Sequence, residues 1–87
     1  MRKPTLYVKQ GCPWCIDALA YFKAKDIALD IIDVRLEPHR MKELVEVSGQ
    51  SMTPTFKYGD FMVADFDVEE FEAALERNPE AKKNLKL

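Results

Sequence analysis

The sequence predicts an α/β domain: a four-stranded mixed sheet flanked by helices, in the order β-α-β-α-β-β-α. Three observations lead there. Two β-rich runs, TLYVK (5–9) and ALDIIDVRL (28–36), bracket a stretch of helical periodicity. The segment PTFKYGDFMVA (54–64) reads as two short strands around a turn at Gly59-Asp60. Asp67 and Glu70 then form a D-x-x-E capping box ahead of a final apolar helical stripe. A strand–helix–strand start implies a parallel pair joined by a right-handed crossover, and the hairpin extends the same sheet.

Each element has its own warrant. In the first strand Leu6 and Val8 share one face. GCPWC (11–15) interrupts it, with Gly11 as a natural turn residue. Cys15, Leu19 and Phe22 then recur at helical spacing, and Pro13 suits a first helical turn, where its missing N–H costs nothing. That helix should fade near Lys25-Asp26. The second strand is dense in β-branched residues. Pro38 opens a second helix with Met41, Leu44, Val45 and Ser48 at helical spacing, and Gly49 stops it. The last helix turns Val68, Phe71 and Leu75 inward. Residues 78–87 are polar and read as a tail or a frayed helix end, which leaves 1–77 as the folded domain.

Composition narrows the function. A 47% hydrophobic share over 87 residues is enough for a small core without staples. The net charge of −2, with both signs mixed, gives no basic footprint for nucleic acid. The apolar run Leu6–Val8 is too short for a signal-peptide core or a membrane span. A cytoplasmic protein without membrane contact is expected, and a monomer. In such a reducing setting, structural disulfides are rare and a close cysteine pair is more often catalytic or metal-binding. Zinc normally takes four ligands, whereas this chain has two cysteines and one histidine, so no metal is expected.

Strand, glycine, Cys-x-x-Cys and helix together place Cys12 at a helix N-terminus. Unpaired backbone N–H groups and the helix dipole favour a thiolate there, and such positions lower cysteine pKa from about 8.5 to roughly 3.5–7.5. Lys9 adds positive charge nearby. Cys15, on the stripe with Leu19 and Phe22, should be the more buried thiol. That asymmetry suits thiol–disulfide exchange: Cys12 attacks, a mixed disulfide forms, and Cys15 resolves it. Trp14 is expected to be partly exposed, able to shield a thiol or pack on a ligand.

At this point the chain resembles a glutaredoxin, over roughly residues 4 to 76. KQGCPWC is similar to the family's Lys-x-x-Cys-Pro-Tyr-Cys, with Trp14 in the tyrosine's place. SGQSMTPTF is similar to the segment carrying the family's Thr-Val-Pro, and ADFD (64–67) stands where the family has Gly-Gly-Phe/Cys-Asp. The element order matches the thioredoxin-type fold. The resemblance implies a cis Thr53-Pro54 peptide facing the cysteines, although only about 5–6% of X-Pro bonds in folded proteins are cis. It also implies a site for glutathione as reducing co-substrate. The backbone of Thr53 would pair with the cysteinyl unit like a short added strand, Lys9 would meet the glycine carboxylate, and Phe66 and Asp67 would hold the γ-glutamyl end. Asp67 reads equally well as a plain helix cap. Two departures bear on the pocket: Met52-Thr53 replaces the family's Thr-Val, and Asp65 replaces a glycine. For the basic or amide side chain that the family often supplies from its second helix, an ungapped alignment offers Met41, with Arg40 or Lys42 as substitutes.

The leading expectation is a dithiol enzyme that reduces glutathionylated and disulfide-bearing proteins at the expense of glutathione. A disulfide reductase recharged by thioredoxin reductase is the first alternative. A [2Fe–2S] carrier linked through glutathione is the second, and Pro13 weighs against it, since cluster-binding members usually carry another residue there.

Overall fold

Residues 3–87 are described by a computed structural model. Its strands are β1 (Thr5–Val8), β2 (Asp30–Asp33), β3 (Thr55–Tyr58) and β4 (Phe61–Ala64), and its helices are α1 (Pro13–Ala24), α2 (Met41–Ser48), α3 (Val68–Glu76) and α4 (Pro79–Leu85). The strands form one sheet in the order β2-β1-β3-β4. β1 runs parallel to β2 and antiparallel to β3, and β3 pairs antiparallel with β4. The expected mixed sheet is therefore present, and the hairpin turns at Gly59-Asp60.

Alternation along β1 divides the core. Leu6 and Val8 face one side with Phe56, and Tyr7 faces the other with Ile32. The first side is the larger and is covered by α1, α3 and α4. At its centre Phe22, Phe56 and Phe71 are fully buried, with Phe22 stacked on Phe56 at 5.1 Å and Phe71 edge-on to both. The second side is small: Tyr7, Ile32 and Val34 pack on Leu44 of α2. Tyr7 also donates to Glu43 Oε2 at 2.7 Å, which ties α2 to the strand that leads into the cysteine loop.

Three details differ from the sequence reading. The expected polar tail contains α4, with Pro79 in its first turn and Ala81 and Leu85 buried in the aromatic side of the core. Two apolar residues at i and i+4 are enough to seat a helix whose remaining face is polar. β2 is shorter than 28–36, because Asp33 Oδ1 accepts from the N–H groups of Arg35 (2.8 Å) and Leu36 (3.2 Å) and turns the chain out of the sheet. On α2, Val45 is exposed, and Val47 packs against the core instead. The capping box at Asp67 and Glu70 is present, and Gly49 ends α2 at φ 74°. No helix among the described residues is long and apolar enough to cross a membrane.

Candidate active site

β1 delivers the chain to Lys9, and a turn closed by Cys12 N–H donating to the Lys9 carbonyl (3.2 Å) reverses it into α1. Gly11 in that turn has φ 85°, the left-handed region that favours glycine. Cys12 is the N-cap of α1, with Pro13 directly behind it. Its Sγ does what a serine or aspartate oxygen does at other helix starts: it accepts from the N–H of Cys15, at 3.1 Å. The reactive sulfur is thus held over the positive end of a helix by backbone geometry alone.

The second sulfur sits differently. Cys15 is 2% exposed and belongs to the aromatic side of the core, whereas Cys12 is half-buried. Burial, and then the hydrogen bond to Cys12, push the Cys15 thiol up to about 11, against smaller opposing effects from Thr53 and Lys9. The pair is asymmetric in the sense expected.

Facing the cysteines is the Thr53-Pro54 peptide, which is cis. Thr53 is 8% exposed and presents both its carbonyl (3.9 Å) and its hydroxyl (3.8 Å) to Cys12 Sγ. Its N–H finds no acceptor among the described residues. A backbone donor with no protein partner, on a residue that lines an open cleft, is available to a ligand.

Lys9, Cys12, Trp14 and Thr53 line one open cleft of about 240 Å³. Trp14 and Met52, which also line it, are 57% and 52% exposed. The other four expected site residues, the buried Cys15 among them, lie outside this lining. Pro54 is fully buried behind Thr53. The Phe66 side chain packs into the core against Phe71 (5.4 Å), so only its backbone is near the loop, donating to the Pro54 carbonyl at 3.4 Å. Asp67 caps α3: its Oδ1 accepts from Glu70 N–H at 2.8 Å, while Glu70 Oε1 accepts from Asp67 N–H at 3.0 Å. Among the described residues no three metal-ligating side chains are grouped.

A sequence model described as glutaredoxin matches residues 5–63, which hold both cysteines, β1 to β3 and the Thr53-Pro54 wall. The chain belongs to the glutaredoxin family. Family and geometry together make it a thiol–disulfide oxidoreductase with a thioredoxin-like fold. A glutaredoxin from Archaeoglobus fulgidus superposes with a TM-score of 0.72 at 19% identity, over 86% of this chain and 87% of that one. The thioredoxin-like protein BC3987 gives 0.73 at 25% identity, over 84% of this chain and 100% of its own. Reduced Escherichia coli glutaredoxin gives 0.64 at 18% identity, over 90% and 98%. A search of the curated proteins gives no match.

Set in a glutaredoxin frame, the cleft has residues that the sequence reading did not find. Arg35, from the loop after β2, donates through Nη1 to the Gln10 carbonyl at 2.9 Å and lines the cleft beside Lys9. Neither Arg35 nor Lys9 forms an ion pair among the described residues. Arg40, offered from the second helix, is instead engaged with Glu43 (3.2 Å) and Glu37 (3.9 Å), and Met41 packs on the small side of the core. Asp65 also lines the cleft and holds φ 51°, the conformation that the family's glycine adopts easily. The only signal for Arg35 in the sequence is its position two residues past a strand-ending aspartate. Its contact with Gln10 spans 25 residues and is a product of the fold.

Proposed function

We propose that this glutaredoxin is a dithiol, glutathione-dependent reductase of protein–glutathione mixed disulfides and of protein disulfides. The observation that carries it is Thr53, which turns its carbonyl and hydroxyl to the Cys12 sulfur and leaves its N–H without an acceptor among the described residues, beside a cleft of matching charge. Glutathione carries two carboxylates and one ammonium. The cleft offers two cations without an ion pair among the described residues, Lys9 and Arg35, and one carboxylate, Asp65. In this reading Lys9 and Arg35 receive the glycine carboxylate and Asp65 the α-ammonium. The backbone at Phe66 and Asp67 borders the γ-glutamyl end, and Thr53 pairs with the cysteinyl unit as an added strand does. Trp14 covers one side of the thiol tripeptide.

The chemistry follows from the asymmetry of the cysteines. The Cys12 thiolate attacks the glutathione sulfur of a mixed disulfide, and the protein thiolate leaves and takes up a proton. A second glutathione thiolate attacks the Cys12–glutathione bond, releasing glutathione disulfide and the Cys12 thiolate. With a protein disulfide, Cys12 forms the mixed disulfide and Cys15 displaces the substrate sulfur. The Cys15 proton ends on the departing thiol. Two glutathione molecules then reduce the Cys12–Cys15 bond. A cytoplasmic, reducing setting and a monomeric state belong to the same proposal.

Two coupled assays on one sample test it. Reduction of a glutathionylated protein is followed with glutathione, glutathione reductase and NADPH, and then with thioredoxin reductase and NADPH. Turnover in the first is expected. No turnover in the first with robust turnover in the second would establish the thioredoxin-type reading instead.

A further inference from the structure

The wall opposite Cys12 has few apolar anchors, yet one side chain reaches most of its polar groups. Gln50 is half-buried between the end of α2 and the start of β3. Its Nε2 donates to Ser48 Oγ (2.9 Å), to the Met52 carbonyl (3.3 Å) and to Thr55 Oγ1 (3.2 Å). Its Oε1 accepts from the Met52 N–H. Thr55 is fully buried, and its own hydroxyl donates to the same Met52 carbonyl at 2.9 Å. Ser48 Oγ donates in turn to the carbonyls of Leu44 and Gln50, at 2.8 and 3.0 Å. One amide therefore grips Met52 by both of its backbone groups.

Peptide planarity carries this grip to the site. The Met52 carbonyl and the Thr53 N–H belong to one planar trans peptide and point in opposite directions. With the carbonyl held by Gln50 and Thr55, the Thr53 N–H must point away from that hub. It is the N–H that finds no acceptor among the described residues, on the residue that faces Cys12 Sγ. We propose that Gln50 is a positioning residue for disulfide substrates: it sets the Met52–Thr53 peptide so that Thr53 offers its N–H to the incoming cysteinyl unit. Gln50 makes no contact with the sulfurs and does not itself line the cleft; it reaches the cleft through the backbone of Met52. Its effect belongs to substrate binding, with the attack by Cys12 left intact.

The inference rests on the exchange reaction proposed above, and the test separates the two. Gln50→Glu keeps an acceptor for Met52 N–H but offers a carboxylate to the Met52 carbonyl, and Gln50→Met removes all four bonds at similar volume. Both are expected to raise KM for a glutathionylated peptide about tenfold, since small displacements of a positioning group have large kinetic effects, and to keep kcat within about twofold. In the wild-type chain, the Met52 amide should show slowed hydrogen exchange, because it is held by Gln50 Oε1, its only acceptor among the described residues, on a residue that is otherwise exposed. An unchanged KM in variants that remain folded overturns the proposal, and so does Met52 exchange at the free-peptide rate. Wild-type chain that does not turn over glutathionylated peptide counts against the glutathione reading alone. The Met52 exchange rate then decides the positioning role.

Discussion

The two walls of the cleft are held by different forces. The cysteine wall is the start of α1, a helix anchored along one side by Cys15, Ala18 and Phe22 in the aromatic core. The position of Cys12 Sγ follows from helix-start geometry and from apolar packing that reaches to Phe56 and Phe71. The facing wall is a loop between α2 and β3. It is shaped by hydrogen bonds among Ser48, Gln50, Met52 and Thr55, with Pro54 buried beneath it. A wall made by packing is insensitive to single polar changes. A wall made by hydrogen bonds can be altered one bond at a time. The nucleophile thus stands on the stiff side, and recognition of the substrate on the adjustable one.

Substitutions can break that contrast, and the largest effect belongs to the stiff side. Cys12→Ser should reduce every exchange reaction to the uncatalysed background, in both coupled assays. Cys15→Ser should retain deglutathionylation and lose reduction of protein disulfides, since only the latter needs a resolving thiol. If Cys15→Ser ended both reactions and Cys12→Ser neither, the two roles would be exchanged.

On the adjustable side effects should be smaller and graded. Asp65→Gly removes an exposed carboxylate held in a left-handed conformation. An exposed ion pair is worth up to about 1 kcal/mol, so KM for a glutathionylated substrate should rise by about two- to fivefold. The melting temperature should hold or rise, because glycine adopts φ 51° without strain. Opposite signs in binding and stability identify Asp65 as a ligand for the ammonium. A fall in KM would show that it repels the carboxylate instead.

The smallest expected effect is a pH dependence of stability on the stiff side. The Cys15 thiol is raised from an ordinary 9.0 to about 11. Between those values the unfolded chain has lost the proton and the folded chain keeps it. The unfolded state then binds fewer protons, and stability falls as pH rises. The melting temperature of the reduced protein should drop by several degrees from pH 9 to pH 11. The disulfide form and Cys15→Ser, which have no thiol at this position, should lack that part of the decline.

The same division explains what could be read without a structure. Signals written in neighbouring residues were legible: the Pro13 helix start, the Gly59-Asp60 turn, the Asp67-Glu70 box, and Cys15 about one helical turn further in than Cys12. The cis peptide came through resemblance, because nothing local to Thr53-Pro54 distinguishes the two isomers. α4 was missed because Ala81 and Leu85 sit among six charged or amide side chains between 78 and 86, although Asn78-Pro79 is a reasonable helix start. Arg35 and Gln50 were missed for a physical reason: each acts through partners that the tertiary fold or a specific loop geometry brings to it. A long polar side chain gives no hint in sequence of which carbonyl it will reach. The charge arrangement of the cleft and the bracing of its facing wall both lie in that category.

α4 also decides where this protein can be handled. Just past its C-cap Lys86, Leu87 lines a pocket together with Tyr21 and Lys25, at the far end of α1 from Cys12. α1 has 12 residues, so the two points are separated by about 18 Å along its axis. A fluorophore or a linker to an electrode attached at position 87 would stand one helix length from the reactive sulfur, with the cleft open to its substrates.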